Sequence, residues 1–397
     1  MQAFPERKNI FSIANNSHIC YSKDIAQQKM EIIKMEVKKH VLKTLAHPVD
    51  RPLRTMGYKD FVSDPDWQEN LISFTSLLYH PQHKKVICGM TSFDNDLMYE
   101  FDPETGVFSN LGFQQEAEKF EIKIHRSLHL DQKGNIYGAT ACLHREDQRQ
   151  EGKGGRIFYY DFATGKYDFL GIPVPQDYIQ TITVDEERHL IYGVSYPVFE
   201  FFAFDTKTGK NRFRQYMGSA PHIMALDDRG GIWSTWNTRT HNLFRYDPDE
   251  NKVQYFNHSL IPGQGADLMY PGAGPIDMML NGGDGYLYVG CATGDLLRIN
   301  PENAAVEYLG RPTPERRMPA LEIGPDGRIY GISGFYGRCH LFAYDRNTRS
   351  FEDFGLITDG EDHLYIGHDI CFAGNNRIFA GETDTELRAG YLWECRI

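Results

Sequence analysis

Basic and aromatic side chains recur at one position of a repeated sequence unit, where together they could bind and transform an anionic substrate. With the units aligned on their glycine turns, the residues at or beside this position are Arg126, Gln180, His222 and His368, then Asp277 one residue along, and His125 and Tyr178 as neighbours. A guanidinium binds a carboxylate through two hydrogen bonds, and imidazole or phenol groups can move protons near neutral pH. The pattern predicts a site for an acidic ligand.

Loops between the repeated strands add more candidates of the same chemical types. These candidates are Trp236, Arg239, Tyr270, Arg317, Tyr336 and Arg338. Aromatic faces suit sugar rings and arginines suit acidic groups, so an acidic oligosaccharide is the expected substrate. We predict His125, Tyr178, His222 and His368 as catalytic residues, and the loop residues with Arg126, Gln180 and Asp277 as substrate-binding residues.

The expected reaction is β-elimination on an oligosaccharide that contains uronic acid. Arg126, Arg317 or a metal would neutralise the uronate and stabilise an enolate-like intermediate. One of the three histidines would remove the C5 proton, and Tyr178 or a histidine would protonate the leaving oxygen.

Other interpretations of the same residues stay open. The side chains could simply be a hydrated rim, or His222 and His368 with His125 could hold a divalent metal such as Mn, Zn or Ca. A glycoside or lactone hydrolase would need paired carboxylates, for which Asp277 and Glu382 are the candidates. A non-catalytic scaffold that grips a peptide or protein would use an exposed patch around Trp236 and Tyr336.

The elements that must position these residues are short strands in a repeat. Second-strand segments such as GNIYGAT, HLIYGVS and GRIYGIS alternate apolar and small residues, and each precedes a third strand such as RIFYYD or HLFAYD. The residue that closes the third strand recurs from Asp102 to Glu394, which is 394 − 102 = 292 residues over six steps, or about 49 per step. Four strands at this period predict an all-β fold, a β-propeller with four antiparallel strands per blade.

The N-terminal segment leaves two blade counts open. Repeat units cover about 71–397, and strand-like segments over about 9–46 predict an N-terminal blade. We therefore expect eight blades within a single domain spanning 1–397; the alternative is seven, with an N-terminal strand completing the last blade. Long insertions fall before first strands or between second and third strands, so one looped face at the channel mouth should carry the site.

Composition excludes some functions of the 397-residue chain. The 42 Lys and Arg against 54 Asp and Glu give a net charge of −12, which disfavours nucleic acid. No run is apolar enough for a membrane span, and the N-terminus has no signal core. Seven scattered cysteines without a CxxC pair indicate a reducing, cytoplasmic location. The oligomeric state cannot be predicted.

Residues 230–247, GGIWSTWNTRTHNLFRYD, carry a family resemblance. This segment resembles the repeat of streptogramin lyase-like propellers, and looser units cover 71–397. The resemblance implies a propeller, and that family uses His and Glu residues with a divalent ion, although none of its catalytic residues can be placed here. The chain is also similar, in architecture only, to cytoplasmic oligogalacturonide lyases. Both resemblances favour a lyase.

Overall fold

The fold is all-β, as predicted, and its strands form the repeated blades of a propeller. The computed structural model describes residues 35–44, 72–94, 96–219, 221–260, 274–374, 376–385 and 388–397. These residues form 32 strands and two short 3₁₀ helices, Phe113–Gln115 and Glu146–Glu151. Seven sheets are each built around four antiparallel strands.

The strands are numbered in chain order, and each blade runs from its innermost to its outermost strand. The first strand of the chain is β1 (Glu36–His40). Blade 1 contains β2 (Ile72–His80), β3 (Lys85–Ser92), β4 (Met98–Asp102) and β5 (Val107–Asn110). The short β6 (Glu121–Lys123) leads to blade 2, which contains β7 (Leu128–Leu130), β8 (Ile136–Ala139), β10 (Ile157–Asp161) and β11 (Lys166–Gly171), with β9 (Ala141–Cys142) between β8 and β10. Blade 3 contains β12 (Tyr178–Asp185), β13 (Leu190–Tyr196), β14 (Glu200–Asp205) and β15 (Lys210–Tyr216).

The second half of the ring repeats this order. Blade 4 contains β16 (Ala225–Leu226), β17 (Ile232–Trp236), β18 (Asn242–Asp247) and β19 (Lys252–Ser259). Blade 5 contains β20 (Ile276–Asn281), β21 (Leu287–Cys291), β22 (Leu296–Asn300) and β23 (Ala305–Gly310). Blade 6 contains β24 (Ala320–Ile323), β25 (Ile329–Ser333), β26 (His340–Asp345) and β27 (Ser350–Leu356), followed by the hairpin β28 (Thr358–Asp359) and β29 (Asp362–His363). Blade 7 contains β30 (Gly367–Phe372), β31 (Arg377–Glu382) and β32 (Leu392–Arg396), and its fourth strand is β1.

The two ends of the propeller meet in blade 7, and this closure sets the blade count at seven. Strand β1 pairs antiparallel with β32, so that Glu36 lies opposite Arg396 and His40 opposite Leu392. The expected eighth blade was wrong for Glu36–His40, because the open edge of β32 is satisfied by this strand. The alternative count of seven is confirmed. Residues 9–34 of the expected N-terminal blade lie outside the described residues.

A buried hydrogen bond between His40 and Glu394 fastens this closure and gives a test of it. His40 Nε2 lies 2.9 Å from Glu394 Oε2, and both side chains are buried. Although burial opposes ionisation, hydrogen bonds from His40 and Arg396 lower the pKa of Glu394 to about 2. Because this pKa is below that of the unfolded chain, the pair stabilises the fold above pH 4.5 and the contribution is lost as pH falls towards 2.

We expect His40→Ala to lower the free energy of unfolding by about 1–3 kcal/mol at neutral pH, because it leaves one bond to a buried carboxylate unmade. The exposed Lys38 on the same strand provides the matched control, and Lys38→Ala should change the unfolding free energy by less than about 0.5 kcal/mol. Urea unfolding measures both variants. Equal unfolding midpoints for His40→Ala and the wild-type protein would show that the closure does not depend on this pair.

The glycine of the repeated Ile-Tyr-Gly segment has a packing role. At Gly138 an added Cβ would collide with the ring of Phe158, and at Gly193 with the ring of Phe202. Both rings are fully buried and come from the third strand of the same blade. A small residue on the second strand therefore admits a large ring from the third, and the apolar core forms between blades.

The aspartates that close the third strands are turn residues. Asp161 Oδ1 accepts hydrogen bonds from the backbone N–H groups of Ala163 and Thr164, and Asp205 Oδ1 does the same for Lys207 and Thr208. Aspartate side chains of this kind accept hydrogen bonds from N–H groups of the turn, in place of backbone carbonyl groups. The structure therefore gives these recurrent residues a local role on the short-turn face.

The opposite, looped face carries the additional elements. Strand β6 pairs with β3 and β9, which joins blade 1 to blade 2 on this face. The insertions over 45–71 and 261–273 lie outside the described residues. Within the described ranges, no helix is long and apolar enough to cross a membrane. The six described cysteines are buried free thiols.

Candidate active site

Bulges in four of the innermost strands each change the direction of one polar side chain. The pairing register skips one residue in β2, β12, β20 and β30, and the residues skipped are Thr75, Gln180, Asp277 and His368. A bulge re-aims a side chain that regular pleating would direct elsewhere. In the other three blades, Arg126, His222 and Arg317 lie two or three residues before the innermost strand.

Asp277 is the electrostatic centre of this ring. Arg317 donates two hydrogen bonds to it, from Nε to Oδ2 at 3.0 Å and from Nη2 to Oδ1 at 2.9 Å. Arg126 donates from Nη1 to the backbone carbonyl of Asp277, and its Nη2 lies 3.8 Å from Oδ1. His222 Nδ1 lies 3.2 Å from the same Oδ1. One fully buried carboxylate therefore holds side chains from blades 2, 4 and 6.

Both arginines bind Asp277 from a left-handed backbone, with φ of 45° at Arg126 and 69° at Arg317. This conformation costs a residue with a Cβ atom about 1–2 kcal/mol. Such local strain is retained only where surrounding contacts hold it, and it is concentrated at functional sites. The guanidinium groups of Arg126 and Arg317 are therefore held in place by the backbone as well as by Asp277.

Hydrogen-bond partners determine the tautomers of the three histidines. A carboxylate can only accept, so His222 donates from Nδ1 to Asp277 and keeps its lone pair on Nε2. His125 Nδ1 lies 2.6 Å from the carbonyl oxygen of Gln180 and must donate to it, which leaves the lone pair on Nε2. His368 Nε2 lies 3.0 Å from His125 Nε2 and therefore donates, so that its own lone pair is on Nδ1.

The three imidazoles form one contact group and are held neutral. The His125 ring centroid lies 4.6 Å from that of His368 and 5.6 Å from that of His222. Burial, followed by the charges of Lys123 and Arg126 among others, lowers the pKa of His125 well below 6.5. Burial, followed by Arg126, does the same for His368. Burial outweighs the hydrogen bond to Asp277 and lowers the pKa of His222 to about 4.

Attraction to Arg317 and hydrogen bonds from His222 and Arg317 keep Asp277 ionised although its burial opposes this, and the pKa of this carboxyl is far below 3.8. The arrangement thus combines an anion, two cations and three uncharged proton acceptors in one buried cluster. Because its imidazoles are already unprotonated at neutral pH, the cluster can accept a proton from a substrate.

Seven of the thirteen predicted site residues come together at this mouth. They are His125, Arg126, Gln180, His222, Asp277, Arg317 and His368. Their catalytic or binding roles stay predictions.

The remaining predicted residues lie elsewhere on the looped face or outside the described residues. The Tyr178 ring stacks on Tyr196 at 4.8 Å, and Trp236 packs on Tyr255 at 4.6 Å. Arg239 lies in an exposed turn, where its backbone N–H donates to Asn237.

Tyr336 and Arg338 share one loop of the same face. The Tyr336 ring contacts Phe335 at 4.0 Å and Tyr365 at 5.6 Å, and Arg338 pairs with Glu315. Tyr270 lies outside the described residues.

A divalent metal is not supported by the donor set at the mouth. In the parts of the chain that the structure describes, no group of three or more His, Cys, Asp or Glu side chains is arranged to hold a metal ion. Both oxygens of Asp277 are engaged by Arg317, and His125 Nδ1 is engaged by a carbonyl. The residues present do not fit a metal centre.

The carboxylate pair that a hydrolase would need is also not assembled from the predicted residues. Glu382 is fully buried and receives hydrogen bonds from Arg388 at 2.6 and 2.8 Å. It also accepts from the backbone N–H groups of Tyr365 and Tyr391. Glu382 therefore organises blade 7, while Asp277 is occupied by arginines on the other side of the mouth.

Aligning the repeat units of the sequence did not identify two charged residues of the mouth. Lys123 ends β6, outside the four-strand repeat, and its charge acts on His125 and His368. Asp384 follows β31 and is exposed, and its charge acts on Lys123 and Arg317. The sequence signal for Lys123 was its place at the end of a long insertion, 114–123, on the looped face.

Comparison with known proteins adds a fold relationship. No family model matches the chain, and no curated protein matches it in sequence. A crystal structure of virginiamycin B lyase from Staphylococcus aureus aligns over 92% of this chain and 100% of its own, with a TM-score of 0.59 and 13% identity. The chain is similar in fold to virginiamycin B lyase.

An extracellular domain assigned to a hybrid two-component system of B. thetaiotaomicron also matches, with a TM-score of 0.53, 15% identity and coverage of 82% of this chain and 39% of that one. At such identities the similarity shows the fold alone. The expected likeness to streptogramin lyase-like propellers is confirmed at that level.

Proposed function

We propose that this propeller is a lyase that cleaves oligosaccharides containing uronic acid by β-elimination at the looped channel mouth. The observation that carries the proposal is the group of three neutral imidazoles beside two guanidiniums, with Asp277 fixing His222. Elimination next to a carboxylate needs a base, a proton for the leaving oxygen and positive charge near the developing enolate. The cluster contains groups for all three tasks.

His222 is the proposed base. Its Nδ1–H is donated to Asp277, so Nε2 carries the lone pair that takes the C5 proton. The C–H electrons form the C4–C5 double bond, and the C4–O bond breaks with its electrons on oxygen. Asp277 stabilises the imidazolium formed on His222, as an oriented carboxylate does for other catalytic histidines.

The proton gained by His222 is then available to the leaving oxygen. One imidazole thus serves as base and then as acid, and the uncharged His125–His368 pair lies beside it. Arg126 and Arg317 supply the positive potential that stabilises the enolate-like intermediate. Tyr178, whose described ring contact is with Tyr196, stays a predicted second proton donor.

The mouth is locally positive although the protein as a whole is acidic. The chain carries a net charge of −12, yet Lys123, Arg126 and Arg317 gather near the three imidazoles. A local positive potential attracts an anionic substrate and repels a cationic one. The fold similarity to virginiamycin B lyase adds that this architecture supports a lyase in at least one other protein. We propose a cytoplasmic location for the activity.

A screen of acidic oligosaccharides tests the function. The ultraviolet absorbance of a double bond conjugated with a carboxylate is followed during incubation with polygalacturonate, alginate and glucuronate-containing fragments, and new reducing ends are counted in parallel. Rising absorbance together with new reducing ends supports the lyase. New reducing ends without absorbance would indicate a hydrolase. Parallel incubations with EDTA and with added Mn²⁺ or Zn²⁺ test the metal expectation.

The pH profile of kcat/KM should report the low pKa of His222. The base must be unprotonated, and burial lowers its pKa to about 4. We therefore expect activity to hold as pH falls through 6.5 and to decline only as pH approaches about 4. An acid limb centred near 6.5 would show that the working base is a solvated histidine outside this cluster.

A second candidate function is a scaffold that binds a peptide or protein on the looped face. The observation in its favour is Tyr336, which is 42% exposed and in ring contact with Phe335 and Tyr365. Exposed aromatic clusters often anchor partners. This candidate predicts that the three histidines are dispensable for binding, whereas the lyase requires His222.

A further inference from the structure

The mouth contains one cation for which the described residues provide no ion pair. Arg317 uses Nε and Nη2 on the two oxygens of Asp277, and Arg126 directs Nη1 to the Asp277 carbonyl. In contrast, none of the described carboxylates lies within ion-pair distance of the Lys123 ammonium. Both arginines are thus ion-paired with Asp277, whereas the lysine can receive a ligand.

Backbone pairing fixes Lys123 at the mouth. It lies opposite Thr91 of β3 and opposite Ala141 of β9, and its side chain is partly buried. The strand β6 therefore holds Lys123 between blades 1 and 2, two residues before His125. The charge of Lys123 contributes to the lowered pKa of His125 and of His368 in blade 7, in agreement with this position.

The surroundings of Lys123 favour an anionic ligand. Burial lowers its pKa, Asp384 opposes this and Arg126 adds to it. Asp384 is exposed, so water and salt screen its charge. A carboxylate placed next to the amine would favour the ammonium form and offset the cost of burial.

We propose that Lys123 is the residue that binds the uronate carboxylate of the substrate. The inference rests on the proposed function for the class of substrate. The carboxylate carbon is bonded to C5, so the group that holds the carboxylate must lie near the base. Lys123 lies two residues before His125, whose ring centroid is 5.6 Å from that of the base His222. Arg126 and Arg317 stay on Asp277 throughout, and the Lys123 ammonium faces the charge that develops on the carboxylate in the enolate.

Calorimetric binding of two probes tests this assignment. The probes are trigalacturonate and its full methyl ester, which keeps the sugar but loses the charge. We expect wild-type protein to prefer the acid by about tenfold or more, as for a hydrogen bond between charged groups. Lys123→Met should reduce the preference to less than about threefold, mainly by weakening binding of the acid, and Lys123→Arg should retain it.

Lys119→Met is the matched control because it removes the same charge four residues away. Lys119 is 59% exposed and pairs with Glu151 on the outer loop. The Lys119→Met variant should keep the wild-type preference for the acid. Lys123→Gln is the second variant should Lys123→Met not fold, and thermal unfolding identifies the folded variants.

Three results would overturn the assignment: a wild-type protein that does not prefer the acid, Lys123 variants that keep the full preference, or a Lys119→Met variant that loses it. The absorbance screen stands apart from this measurement. Elimination with an unchanged preference in Lys123→Met would refute the role of Lys123 and leave the lyase standing. Acid preference that depends on Lys123 without any elimination would refute the lyase and leave the carboxylate site standing.

Discussion

Asp277→Asn should lower turnover by about 10³ to 10⁴, because the neutral amide no longer fixes His222 or stabilises its imidazolium. It should also lower the free energy of unfolding by about 3–5 kcal/mol, because Arg126 and Arg317 lose the buried charge that they share. Both effects come from one fully buried side chain, so they should appear together. Urea unfolding and initial rates on the confirmed substrate measure them.

The pH dependence of this stability difference has a definite sign. Asp277 has a folded-state pKa below its ordinary 3.8, so its ionised form stabilises the protein above that pH. The difference between the wild-type protein and Asp277→Asn should be full at neutral pH and shrink only in strong acid. Asp205→Asn, in a turn on the opposite face, is the control and should change the unfolding free energy by less than about 1 kcal/mol. Equal stabilities of Asp277→Asn and the wild-type protein would contradict the role given to Asp277.

The second large effect is expected for His222→Gln. Removing the base should reduce kcat by about 10² to 10⁴ while leaving most substrate binding intact. His368→Gln should reduce kcat less, because its described hydrogen bond is to His125 and not to a charged group. Initial rates and substrate titration separate kcat from KM in both variants.

His258→Gln is the matched control for these histidine variants. His258 lies on the outer strand β19 and bonds to the carbonyl of Ala304 at 2.7 Å, away from the mouth. It should leave kcat within about twofold of the wild-type value. If His222→Ala and His368→Ala both turn over the substrate at the wild-type rate, the base has been wrongly assigned.

The propeller could be predicted from the sequence because its repeat is local. Turn aspartates close the third strand in five blades and Ile-Tyr-Gly segments occur in three. The contacts that these residues make lie within their own blade, as at Asp161, Asp205, Gly138 and Gly193. The blade count was wrong because the deciding pair joins residues 354 positions apart, His40 and Glu394. An isolated strand sequence does not indicate which open edge it will complete.

The sequence could predict those site residues that occupy equivalent positions of the repeat. Asp277 seemed one residue out of line with Gln180 and His368, but bulges place all three at equivalent positions of their inner strands. The shared use of Asp277 by Arg126, His222 and Arg317 could not be predicted, because these residues come from blades that are distant in sequence. Lys123 was missed because β6 is not part of the repeat.

Product analysis in water enriched in heavy oxygen tests the central claim most directly. Hydrolysis places an oxygen from water in the product, whereas elimination breaks the C4–O bond without adding one. With an acidic oligosaccharide that the protein cleaves, we predict an unsaturated fragment and no heavy oxygen in either product by mass spectrometry. Saturated products carrying heavy oxygen, or no cleavage of any acidic oligosaccharide tested, would contradict the assignment of this propeller as a lyase.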